Sequence, residues 1–290
     1  MKNMFDLAYN NLVTDVLKNG NSKMDRTQIG TLSKFGCNMK FDITMYFPLL
    51  TNKKVFFKGV VEELLWMLRG DTNSNNLSQQ NVKIWEANGS REVLDKLGLD
   101  HKEGHLGPIY GHQWRHYNAK YINADTDYTS QGIDQISDLI NNIKDDPNSR
   151  RHILNAWNPC QVKEMALPPC HVMCQFYCNE SDKSISCQMY QRSGDIGLGI
   201  PFNIASYSLL TYIIGHYCGY KPKEFIHVIG DAHIYNNHID ALEHQLTQES
   251  YEPPVLELID MPNDFTQLHL DNFKLNNYEF NKSIRMNMAV

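Results

Sequence analysis

No run of apolar residues in this chain is long enough to cross a bilayer. The longest, around Ile204–Ile214, is interrupted by Ser206, Ser208 and Thr211. The opening MKNMFDLAYNN lacks the uninterrupted apolar centre of a secretory leader, so none is expected. Positive charge is scarce: 27 Lys and Arg face 33 Asp and Glu, a formal net charge of -6. No global field draws the chain to nucleic acid, and an anionic ligand must be held by local arginines. Cysteine is sparse and odd in number, seven in 290 residues. That pattern suits reduced thiols better than a secreted disulfide framework. The expected location is the cytoplasm, with the nucleus as the alternative. There is no internal repeat and no long linker. Tyr117–Ser130 reads as a polar surface insertion and Glu249–Pro254 as a loop. Neither separates independently foldable parts, so residues 1–290 read as a single domain.

Hydrophobic residues make up 42% of the chain, ample for a large core. Val55–Leu68 has the pattern of an amphipathic helix ended by Gly70, and Ile133–Lys144 reads as a second helix. Val172–Cys178 and Ser184–Gln191 flank the polar turn Asn179–Lys183, which predicts an antiparallel hairpin. Pro201–Cys218 is apolar nearly all round and closes on Gly219, as a buried central helix would. Phe225–Ile229 reads as a strand and Asn237–Gln248 as a helix. The mixture predicts an α+β fold on a large mixed β-sheet with surrounding helices.

The chemistry-bearing residues concentrate between Ala166 and Ile239. Cys170 follows Pro168-Pro169, which stiffens its approach. A cysteine there is by default a small core residue. Cys170, Cys174 and Cys178 resemble metal-ligand spacing, but four residues of strand span ~13 Å, too far to share one ion. No metal is expected. His171 should point to the opposite strand face from Cys170, which argues against a Cys–His dyad. Arg192 is the better activator, since a thiolate at neutral pH needs nearby positive charge. Gln191 lies beside it, and Ser193 with the glycines at 194, 197 and 199 offers donors and close-approach backbone for an oxyanion or phosphate. Arg150-Arg151 and Arg26 are further cationic candidates; alone, each reads equally as a solvated arginine.

Within Val55–Leu68, Glu63 shares a face with Phe56, Val60 and Met67, whereas Glu62 falls with Lys58 and Arg69. Glu62 is therefore expected in solvent and Glu63 against the core, a general acid–base candidate with a raised pKa. The alternative is a structural carboxylate satisfied by backbone or arginine. Asn203 lies in the first turn of the apolar helix. It could cap backbone groups, or present an acceptor and a donor side by side to the imide edge of uracil. His233 and Tyr235 alternate on an extended segment and could hold a sugar hydroxyl.

Long motifs connect these residues: EELLW, GPIYGHQWR, SRRHILNAWNP, ALPPCH, QRSGDIGLGIPFNIASY and HVIGDAHIYNNHI. Together they resemble the thymidylate synthase family over essentially the whole chain. The length of the Trp85–Asp145 region is closer to eukaryotic and large-DNA-virus members. The resemblance implies a homodimer packed sheet to sheet, with dUMP and methylene-tetrahydrofolate as substrates. Cys170 would add to carbon 6 of dUMP. Carbon 5 would then attack the folate methylene, and hydride return would give dTMP and dihydrofolate. Arg26, Arg192 and Ser193 would hold the phosphate, with Gln191 beside them and with Arg150 and Arg151 from the other subunit. Asn203 would read the base, and His233 and Tyr235 the sugar. Glu63, Tyr110 and His171 would organise proton transfer. Asp195 would touch nucleotide and pterin, with Ile84, Trp85, Leu198, Gly199 and Phe202 forming the folate wall. Lys53 would face the glutamyl tail, and Ala289-Val290 would close over the ligands.

Gln28 and Ile29 depart from the RTGTGT of many members, which implies that the loop carrying Arg26 is stiffer or set differently. A same-fold alternative is a pyrimidine hydroxymethylase, against which Asn203, Trp85 and the MAV terminus argue. A different alternative is an RNA-binding regulator, which the net acidity makes secondary.

Overall fold

Six strands form one mixed sheet: β1 (Asn21–Lys23), β2 (Thr31–Asp42), β3 (Ile153–Asn155), β4 (His171–Asn179), β5 (Ser184–Asp195) and β6 (Lys221–Tyr235). Their order across the sheet is β1–β2–β6–β5–β4–β3. The computed structural model from which this is drawn describes residues 3–25 and 27–288. β5 and β6 run parallel, and the other pairs are antiparallel. A parallel neighbour requires a crossover connection. Helix α7 (Gly199–Cys218) supplies it, buried on nearly every side and stopped by Gly219 at φ 77°. This is the expected central helix, begun two residues early. The remaining helices are α1 (Met4–Asn19), α2 (Phe57–Leu68), α3 (Ser74–Gln79), α4 (Arg91–Lys96), α5 (Tyr110–Arg115), α6 (Gln135–Asp145) and α8 (Ile239–Leu246). A two-stranded sheet of β7 (Val255–Leu258) and β8 (Phe273–Asn276) completes an α+β single domain.

The expected hairpin is β4–β5, with Asn179 paired to Ser184. The strand read at Phe225–Ile229 is the middle of the much longer β6, which carries His233 and Tyr235 to its far end. The polar interval Tyr117–Ser130 has neither helix nor strand, yet it is not a bare insertion. Tyr121 and Tyr128 stack on each other and edge onto His112, giving the segment its own small core.

One expectation fails. Glu62, assigned to solvent, is only 8% exposed. The cause is the number of neighbours: α2 packs against α5, α7 and the 265–272 segment, so its nominal polar side is also covered. A single-helix wheel cannot anticipate a helix enclosed from several directions.

One sheet face packs beneath α7 through Cys174, Phe176, Cys187, Met189, Phe225 and His227. Among the described residues no helix lies over the opposite face. There Ile153, Gln175, Gln188, Ile226 and Lys40 form one cross-strand row, and Met173, Tyr190, Val228 and Asn38 lie in the next. Tyr177 on this face is 68% exposed.

Candidate active site

The ends of β4 and β5 meet where the hairpin register slips by one residue between Met173 and His171. An unbroken register would set His171 opposite Arg192. The slip instead sets Cys170 there, and Arg192 N–H donates to the Cys170 carbonyl at 2.9 Å. Bulges of this kind re-aim side chains beside functional sites. The Arg192 side chain folds back over the same turn. Its Nε donates to the Pro169 carbonyl at 2.9 Å and its Nη2 to the Pro168 carbonyl at 2.8 Å. Nη2 also lies 3.8 Å from Cys170 Sγ. The guanidinium rests over the Trp157 ring at 5.6 Å, which holds its plane. The Cys170 and His171 N–H groups both donate to the Tyr110 hydroxyl, at 2.7 and 3.2 Å. Tyr110, at the start of α5, thus anchors the backbone of the nucleophile candidate.

His171 turns inward, its ring 5.3 Å from Tyr110 and 5.1 Å from Tyr207. Burial pushes its pKa down to about 4, so it is neutral. Behind it lies an amide chain. Gln191 Nε2 donates to Asn203 Oδ1 at 2.9 Å and to the Ser193 carbonyl at 2.9 Å, while its Oε1 faces His227 Nε2 at 2.7 Å. Burial lowers His227 to about 3, so its Nε2 carries a proton only as the donor to Gln191. The chain fixes which way the Asn203 amide is turned: Oδ1 toward Gln191, Nδ2 away from it.

Glu63 accepts from Trp85 Nε1 at 2.7 Å. The residue as a whole is half-buried, but its carboxyl end is enclosed against the indole. Burial raises its pKa to about 7, partly offset by that hydrogen bond. Trp85 also packs edge-on to Tyr110, linking Glu63 to the Cys170 anchor. Ile84, Leu198 and Phe202 are partly buried apolar side chains, and Gly199 opens α7. A cavity of about 520 Å³, lined by Asn88, Val93, Leu97, Leu167 and Pro168, opens beside the proline pair.

Asp195 Oδ1 accepts from Gly197 N–H at 2.8 Å and lies 3.6 Å from His238 Nδ1. Lys53, expected toward an anionic tail, is only 6% exposed and donates to the Gly197 carbonyl at 2.6 Å. Burial lowers it to about 8. His233 lies beside Asp231 and edge-on to Tyr235 at 5.2 Å. The parallel register places Ser193 beside Asp231 and Asp195 beside His233, so the phosphate and sugar candidates share one sheet end.

Arg150 and Arg151 are not brought to this place. Both are exposed and precede β3, whose Ile153 pairs with Gln175. Because β3 runs antiparallel to β4, the arginines lie beyond Gln175, away from Cys170. The separation along the strand is on the order of 20 Å. Arg26 and Ala289 fall outside the described residues.

Four contributors escaped the sequence reading: His227, Tyr207, Trp157 and His238. His227 had a usable signal, since it alternates with Phe225 and Ile229 on a core-facing strand, where a histidine needs a partner. Among the described residues no cluster of three or more His, Cys, Asp or Glu is arranged to hold a metal. None of their helices is long and apolar enough to cross a membrane.

The family profile described as thymidylate synthase matches residues 7–290. The chain is 53% identical to the thymidylate synthase of Equine herpesvirus 2, over 97% of each. It is 52% identical to that of Human herpesvirus 8 type P, over 98% of this chain and 84% of that protein. It is also 53% identical to a bifunctional dihydrofolate reductase-thymidylate synthase of Zea mays, covering 98% of this chain. The chain spans about half the length (54%) of that bifunctional relative.

Proposed function

This chain belongs to the thymidylate synthase family, and from that premise we propose that it converts dUMP to dTMP with methylene-tetrahydrofolate, releasing dihydrofolate. The observation that carries the reading is the Arg192 guanidinium 3.8 Å from Cys170 Sγ on a backbone tied to Tyr110. Positive charge at that distance favours the thiolate. Cys170 adds to carbon 6 of the uracil, which makes carbon 5 nucleophilic. Asn203, oriented by Gln191, offers Nδ2 to a base carbonyl and the free side of Oδ1 to the imide N–H. Glu63, with a pKa near neutrality, can give and take protons at the base through water. Folate supplies the methylene and then the hydride. Thiolate departure from carbon 6 frees the product. Ser193, His233 and Tyr235 are suited to the phosphate and sugar, and Ile84, Trp85, Leu198, Gly199 and Phe202 to the folate. Arg26 and Ala289 keep their implied roles at the phosphate and over the ligands.

We further propose that two copies pack through the face bearing Tyr177, Tyr190 and Ile226. Gln175 on that face donates to the Arg150 carbonyl at 3.1 Å, and both exposed arginines are too far from their own Cys170, so they would serve the other copy's phosphate site. Residues 1–290 then act as one catalytic domain. Seven cysteines, none in a disulfide among the described residues, support a reducing compartment, the cytoplasm. RNA binding stays secondary because the net charge is -6.

The test mixes the protein with dUMP and methylene-tetrahydrofolate, follows dihydrofolate absorbance and weighs the nucleotide product. Dihydrofolate and dTMP in equal amounts are expected. A hydroxymethyl product without dihydrofolate would overturn the reading. Cys170→Ser should lose turnover by at least about a thousandfold while still binding dUMP. Mixing Cys170→Ser chains with Arg150→Ala/Arg151→Ala chains should restore about a quarter of wild-type activity through hybrid dimers. No recovery after verified subunit exchange would remove the shared-site proposal.

A further inference from the structure

His238 belongs to none of the roles above, yet it is fully buried where three segments converge. Its Nε2 lies 2.7 Å from the Asn287 carbonyl, in the 282–288 segment. Its Nδ1 lies 3.6 Å from Asp195 Oδ1 and is otherwise unpartnered. Met286 of the same segment sits against Gly197, where a β-carbon would come within 2.8 Å of its sulfur and 2.7 Å of His238 Nδ1. Only glycine lets the segment, the imidazole and the Asp195 turn approach so closely.

We propose that His238 is a positioning residue that latches the 282–288 segment onto the Asp195–Gly197 turn, its proton being shared between Asn287 and Asp195. A neutral imidazole has one N–H, and two acceptors face it. The cation can serve both. Once it is neutral, a donor spent on the charged carboxylate is lost to the carbonyl. Burial opposes the cation, but Asp195 and the Asn287 carbonyl outweigh it and raise His238 above the ordinary histidine value. The latch therefore loosens as pH rises through that raised value. The other groups facing the imidazole are Lys53, which opposes the cation, and the Tyr235 ring at 5.6 Å. Tyr9 braces the turn from behind by donating to the Ile196 carbonyl at 2.8 Å.

One consequence rests on the proposed folate role of Asp195. A ligand N–H that engages this carboxylate weakens its claim on the imidazole and returns the proton to Nε2. Ligand binding would thereby tighten the segment.

Hydrogen–deuterium exchange of the peptide holding 282–288, corrected for intrinsic rates, tests the latch without reference to activity. Wild type should exchange faster at about pH 8 than at about pH 6. His238→Leu should exchange about tenfold faster than wild type at the lower pH. His238→Gln, which keeps a donor toward Asn287, should recover protection and lose most of the pH dependence. Equal exchange in wild type and His238→Leu would overturn the latch, as would an unchanged pH dependence in His238→Gln, which would assign it to Lys53. A second comparison adds dUMP and tetrahydrofolate. Protection should rise in wild type and not in His238→Leu. Failure of this comparison alone would remove the ligand coupling and leave the latch.

Discussion

Arg192 Nη2 stands 3.8 Å from Cys170 Sγ while donating to the carbonyl of Pro168 at 2.8 Å. One planar cation therefore sets both the thiol's surroundings and the path of the turn that carries it. A lysine has a single nitrogen and cannot span these partners. Arg192→Lys should lower kcat/KM by about ten- to a hundredfold and slow alkylation of Cys170, followed by mass at that peptide. An alkylation rate equal to wild type would show that Arg192 does not activate the thiol.

The Glu63 carboxyl gives the fold its own pH dependence. Its pKa rises from 4.5 to about 7 on burial. The native state therefore holds a proton that the unfolded chain has released between those values. The favourable contribution is complete below about 4.5 and lost once pH passes about 7. Its size is on the order of 3 kcal/mol. Glu63→Gln should be less sensitive to this change than wild type, measured by denaturant unfolding at both ends of the window. Parallel curves for the two proteins would mean that the carboxyl is solvated.

Base selectivity should depend on Asn203 and on Gln191 behind it. Asn203→Asp keeps the acceptor toward Gln191 but replaces the outward donor with a second acceptor. That suits the amino edge of cytosine, so preference for dUMP over dCMP should fall at least about tenfold. Unchanged preference, measured by competitive binding, would show that Asn203 does not read the base.

Gln28 takes φ 62°, a left-handed conformation costing a side-chain-bearing residue about 1–2 kcal/mol. Asp25 holds the turn by accepting from Thr27 Oγ1 at 2.6 Å and from Gly30 N–H at 3.1 Å. Gln28→Gly should relieve strain and raise thermal stability slightly, with exchange at residues 25–30 becoming faster. A lowered melting temperature would mean that the glutamine side chain contributes contacts outweighing the strain.

The nucleophile candidate, its hairpin and the central helix were legible because each is encoded locally. Pro168-Pro169 marks the approach, the polar turn marks the hairpin, and the apolar run marks α7. The register slip was not legible. It arises where β4 begins, and it alone decides that Cys170 rather than His171 meets Arg192. The burial of Glu62 was hidden for a related reason, since it depends on segments about 200 residues away folding over α2. β2 was missed although it was legible: Cys37, Met39 and Phe41 alternate with Asn38, Lys40 and Asp42, the period of a strand with one face covered. His238 was hidden because its two partners, Asp195 and Asn287, are distant in sequence on either side of it.

The uncovered sheet face has a consequence for how the molecule persists in solution. If a second copy covers Tyr177, Tyr190 and Ile226, part of what holds each chain folded resides in its neighbour. Stability then follows mass action: each tenfold dilution below saturation would weaken the folded dimer by about 1.4 kcal/mol per dimer. The abundance of this chain would itself be one of the terms that keep it native.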